Sequence, residues 1–126
     1  MREENVQYFT EAEEEIIRLL TATGMKKNAA KAMVVVMKTP GITSRAIERE
    51  ADLRQPDVSI VMNYFGKRGW ITSHESLPGK GRPAIVYDLA KPLAEIMMDI
   101  EEEQKARVDE QLARVGKLRG FVKKEF

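Results

Sequence analysis

The sequence predicts a mainly α-helical domain carrying one small β-hairpin, followed by a long, separate C-terminal helix. Three observations lead there. Up to Arg68, apolar residues recur at helical spacing in four blocks, divided at Gly24, at Thr39-Pro40-Gly41 and at Asp52-Leu53-Arg54. Two β-prone runs, WITSHESL (70–77) and AIVYDL (84–89), then flank the turn-rich PGKGRP (78–83). From Lys91 onward the chain is densely charged and free of glycine until Gly116.

The first helix is YFTEAEEEIIRLLTATG. Thr10 followed by Glu13 has capping-box spacing, acids fill the first turn where the helix dipole favours them, and Gly24 follows the end. Its apolar stripe is Ile16, Ile17, Leu19 and Leu20. MKKNAAKAMVVVMK forms the second helix, stopped by TPG. Its alanine, methionine and lysine content outweighs the strand tendency of three valines, with Ala29, Met33, Val36 and Met37 expected inward. Thr43 caps a short third helix, SRAIEREA. After Asp52-Leu53-Arg54, QPDVSIVMNYFGKR starts a fourth with Pro56 in the first turn, where its missing N–H costs nothing. Val58, Val61, Met62 and Phe65 fall at i, i+3, i+4 and i+7, one apolar face, and Gly69 ends the helix. In the second β run, Ile85, Tyr87 and Leu89 alternate as a half-buried strand should. The loop between the two runs is long for a simple turn, which suits a projecting tip.

The C-terminal segment bears a narrow stripe of Leu93, Met97, Ile100, Gln104, Val108, Leu112 (or Gln111) and Val115. Steps of three and four combine to nearly an eleven-residue repeat. So thin a stripe on so long a helix cannot be buried along its length against a small domain. It calls for a partner helix, most simply its own copy.

With 126 residues, the chain suits one domain plus an appendage, and 43% hydrophobic content is enough to build a core. Net charge is only +1, so the distribution carries more information than the sum. Residues 1–22 hold six acids and two bases, whereas residues 26–38 hold four lysines and no acid. Across 78–92, Lys80, Arg82 and Lys91 face Asp88 alone. The absence of cysteine removes disulfides, thiolate catalysis and cysteine-based metal sites. The longest apolar run, AMVVVM (Ala32–Met37), is too short to span a membrane, and MREENVQYF lacks an apolar signal core; the expectation is a cytoplasmic protein.

Two helices joined by a three- or four-residue turn, then a hairpin with a basic tip, is the order of a winged helix-turn-helix. From Met25 to Leu89 the chain resembles archaeal and bacterial winged-helix transcriptional regulators of the TrmB/MarR/ArsR kind. The resemblance is carried by Thr43-Ser44 opening a helix, Ile47 and Ala51 on its inner face, Leu53 in the turn, QPDVS opening the next helix, KRGWI entering the hairpin, and GKGRP with a following tyrosine. It departs from the family pattern at Glu48, where a small residue is usual, at Asp52 for the turn glycine, at Arg54 for a capping Ser or Thr, and at Gly66. The resemblance implies a winged-helix DNA-binding domain over 1–90 with its core module at 25–89. The narrow stripe beyond it assigns a dimerisation helix over 91–120, with FVKKEF as a tail over 121–126.

What it implies for function is a homodimeric regulator of transcription on double-stranded DNA. The recognition helix, about 55–68, would lie in the major groove and the wing, 78–84, on the backbone or the minor groove. Opposite the apolar face, that helix presents Gln55, Asp57, Ser59, Ile60 and Asn63. Gln and Asn can bind adenine bidentately, Asp57 can accept from a cytosine amine, and Ile60 can touch a thymine methyl. Arg45, Arg54, Lys67 and Arg68 suit phosphate contacts, as do Lys80 and Arg82 on the tip. The alternative is a winged-helix protein-interaction module within transcription machinery, because an acid repels phosphate and an exposed isoleucine suits a protein surface.

Other features point to no further chemistry. His74 has no second histidine or cysteine to share a metal, and the acids of Asp99–Glu103 read as a solvated helix face. Methionines serve as filler and Trp70 as a core anchor. GKGRP is too short for a nucleotide loop and precedes a strand. The chain is therefore expected to be no enzyme, with no cofactor and no metal. The residues leave open whether a small-molecule effector exists.

Overall fold

A computed structural model of the chain describes residues 8–76 and 83–126. Those residues form two compact units, divided between Leu93 and Ala94. The order is α1 (Glu11–Ala22), α2 (Lys27–Lys38), β1 (Ile42–Thr43), α3 (Ser44–Ala51), α4 (Gln55–Arg68), β2 (Ile71–Ser76), β3 (Ala84–Leu89) and α5 (Leu93–Glu125). This is a winged helix-turn-helix followed by a long helix.

The opening of α1 is the capping box its sequence spells. The Thr10 hydroxyl accepts from the Glu13 N–H at 3.1 Å, and the Thr10 N–H donates to the Glu13 carboxylate at 2.9 Å. That backbone donor holds the Glu13 carboxyl below its ordinary pKa, and Lys38 of α2 adds to the effect against the opposing cost of desolvation. A carboxylate depressed on folding adds stability above its unfolded pKa, and that contribution is lost as pH falls through the folded value. Thr10→Ala is expected to cost about 1 kcal/mol, read as a shift in the urea midpoint at neutral pH.

Only half of the predicted α1 stripe is inward. Ile17 and Leu20 are buried against α2, while Ile16 and Leu19 are exposed. The two that point inward lie three residues apart, as a single contact line with one helix requires. In α2 the correction runs the other way. Ala29, Met33 and Val36 are buried as expected, but so are Ala30, Ala32, Val34 and Val35, while Met37 is only half-buried. The cause is its central position: α1, α3, α4 and β3 all pack on it, so its apolar face is wide and only Lys27, Asn28 and Lys38 stand exposed.

The turn between α3 and α4 is built as its residues dictate. The Thr43 hydroxyl caps α3 by accepting from the Ala46 N–H at 3.1 Å. Asp52 takes the left-handed conformation (φ 56°, ψ 54°) usual for a glycine, and the Leu53 N–H returns to the Glu48 carbonyl at 2.9 Å. Ile47 and Ala51 face the core and leave no exposed surface. Arg54 stands at the N-cap of α4 without a side-chain cap, in line with its being neither Ser nor Thr.

The hairpin belongs to a three-stranded antiparallel sheet of order β1-β3-β2, in which Ile42 pairs with Tyr87 and Ser73 also lies opposite Tyr87. The two-residue β1 is too short to announce itself in the sequence. The phase of β3 is opposite to the predicted one: Val86 is buried while Ile85 is exposed. Strand β3 is central and packs one face on α2 and α3, so Val86 carries the contact. Helix α5 runs unbroken past Gly116 and Gly120 and through residues 121–125, the stretch expected as a tail. Among the described residues, no helix is long and apolar enough to cross a membrane.

Candidate nucleic-acid interface

Helix α4 divides its residues cleanly. Val58, Val61, Met62 and Phe65 are buried, whereas Gln55, Ser59, Asn63 and Lys67 are exposed at successive four-residue steps. At 1.5 Å per residue this polar row extends roughly 18 Å along the helix. Ile60 flanks the row and is 67% exposed, the barest large apolar side chain among the described residues of the winged unit.

Clefts border the row. One of about 600 Å³ is lined by Ser59, Ile60, Asn63 and Lys67 on the helix side and by Thr72, Ser73 and Tyr87 on the sheet. Burial raises the Tyr87 phenol above its ordinary pKa of 10.0, so it faces the cleft as a neutral hydroxyl near pH 7. A second, of about 740 Å³, brings Arg45 and Gln55 together with Ser44 and Glu48, and with Pro83, Ala84 and Ile85 where the wing loop re-enters the sheet. Asp57 turns away from both. It lines a separate hollow with Ile60, Val61, Lys26, Lys27 and Asn28. Those lysines and the β2 hydroxyls went unassigned in the sequence, since only the fold brings them beside α4. The four-lysine run at 26–38 was their one signal.

Arg68 has a different setting from the phosphate contact expected of it. Gly69, in the left-handed conformation (φ 76°), reverses the chain so that Trp70 returns beneath α4. The Arg68 guanidinium then lies 3.9 Å from the Trp70 ring centre and 5.2 Å from that of Tyr64. Trp70 stacks in turn on Phe65, with centroids 6.0 Å apart. The Arg68 guanidinium thus packs over the aromatic cluster at the base of the hairpin and is partly exposed, while Lys67 beside it is exposed. Lys80 and Arg82 lie outside the described residues. Of the α5 stripe, Leu93, Met97, Val108, Leu112 and Val115 are exposed, and Ile100 and Gln104 are partly so.

No protein-family model and no curated protein sequence matches the chain. Solved structures do. The chain is similar to TrmBL2, described as an archaeal chromatin protein with a novel mode of DNA binding, at TM-score 0.67 and 18% identity over 87% of this chain. It spans only 40% of the TrmBL2 chain. A possible transcriptional regulator from Methanosarcina mazei Go1 aligns at TM-score 0.57 and 15% identity, covering 80% of this chain and 86% of that one. A MarR-family transcriptional regulator from Silicibacter pomeroyi aligns at TM-score 0.52 and 14% identity, covering 90% and 82%. At these identities the likeness establishes the winged-helix fold.

Proposed function

We propose that the chain is a sequence-specific, DNA-binding transcriptional regulator acting as a homodimer, with α4 in the major groove. The observation that carries this reading is the exposed row of Gln55, Ser59, Asn63 and Lys67 on α4, opposite its core face. Three neutral hydrogen-bonding side chains in line can address base edges, and the cation that ends the line can address phosphate. Arg45 and Arg54 flank the other end, and Lys80 and Arg82 of the wing reach the backbone or the minor groove. The described relatives of this fold act on DNA or transcription, which supports the reading. Dimerisation rests on the α5 stripe. Such a regulator works in the cytoplasm, and its role is binding with no catalytic step.

Asn63 tests base readout. Asn63→Ala should cost about 1–3 kcal/mol on the preferred duplex and relax selectivity at one base pair, with little change on unrelated DNA. Equal weakening on every duplex would remove Asn63 from the reading residues.

One observation favours a second reading. Ile60 stands exposed beside the polar row, and a protein surface suits it as well as a thymine methyl does. In that case the unit is an interaction module of the transcription machinery. Ile60→Ser would then abolish partner capture while salt-sensitive DNA binding would be absent from the start.

A further inference from the structure

The charges of α5 are ordered along its length. Residues 93–103 hold five acids and no base, residues 104–113 hold two of each, and residues 114–124 hold five bases and no acid. The helix dipole accounts for charge preferences only in the first and last turn. The acidic and the basic block each span eleven residues, about three turns. Ion pairs within the helix, Glu101 with Lys105 and Glu110 with Arg114, lie at the inner borders of the blocks. They leave the polarity of the whole helix in place.

We infer that α5 pairs with α5 of a second copy in antiparallel orientation, Val108 beside Val108. This rests on the homodimer proposed above and fixes its geometry. A parallel pair would set five acids beside five acids and five bases beside five bases. An antiparallel pair sets each acidic block against a basic one, and flanking charges decide helix orientation in this way. The apolar stripe has the same symmetry. Met97 and Leu118 lie eleven and ten residues either side of Val108, and Ile100 and Val115 lie eight and seven residues from it. Met97, Val108, Val115 and Leu118 are all exposed in the single chain, so the face is uncovered until a second copy arrives.

The chain lacks cysteine, so single introduced thiols report the arrangement cleanly. Val108→Cys, Met97→Cys and Leu118→Cys replace exposed side chains, which leaves folding intact. Under mild oxidation Val108→Cys should form a disulfide-linked dimer, because antiparallel symmetry brings this position to its own copy within disulfide reach. Met97→Cys and Leu118→Cys should each remain unlinked alone and link to each other after the two proteins are mixed and allowed to exchange. Linkage of Met97→Cys to itself and of Leu118→Cys to itself would overturn the proposal in favour of a parallel pair. Sedimentation of the unmodified chain separates the two levels. A dimer in which none of the three positions links pairs through another face, overturning the orientation alone; a monomer overturns the homodimer as well.

Discussion

Trp70→Ala should destabilise the winged unit by about 3–5 kcal/mol. Trp70 is 1% exposed, and its ring stacks on Phe65 from one side while the Arg68 guanidinium covers it from another. Removing the indole opens a cavity between α4 and the first strand of the hairpin, and it strands Arg68 without its principal ring. Total stabilities of small domains are about 5–15 kcal/mol, so the loss is a large share of the whole. A urea titration followed by circular dichroism measures it. Arg68→Ala tests this contact separately. Deleting a partly desolvated cation–π contact should cost about 1–2 kcal/mol. If Arg68→Ala left stability unchanged, the guanidinium would be better assigned to DNA after all.

Arg45→Glu combined with Lys67→Glu should lower affinity for duplex DNA by on the order of a hundredfold at low salt. The slope of log affinity against log salt should become shallower by about 2. Both side chains are exposed, so thermal stability should stay within about 0.5 kcal/mol of the parent. The pair is informative because its members sit at opposite ends of the recognition surface, Arg45 beside Gln55 in one cleft and Lys67 beside Asn63 in the other. An unchanged slope would mean that phosphates do not pass over this face of α4.

The sequence was most readable where one face of an element meets the core and the other meets solvent. In α4 the buried residues are the four that periodicity selected, and the turn before it follows from Thr43, Asp52 and the proline at the helix start. In α2, Ala29, Met33 and Val36 are inward as expected, and Ala30, Ala32, Val34 and Val35 join them because several elements pack on this helix at once. In β3 apolar residues occupy both phases, and only the packing of α2 and α3 decides that Val86 is the inner one. The interface was legible on α4 itself, because exposed polar residues at four-residue steps are a local pattern. Its surroundings were not. Lys26, Thr72 and Ser73 join it across the fold, and the contact of Arg68 with Trp70 arises because Gly69 folds the chain back under the helix, which no local pattern spells.

Selection from a pool of random duplex DNA, carried out at two salt concentrations and followed by sequencing, tests the central claim most directly. A dimeric regulator should enrich an inverted repeat, with tighter binding at the lower salt, since base contacts choose the sequence and phosphate contacts set the salt dependence. Failure to bind duplex DNA at either salt would contradict it.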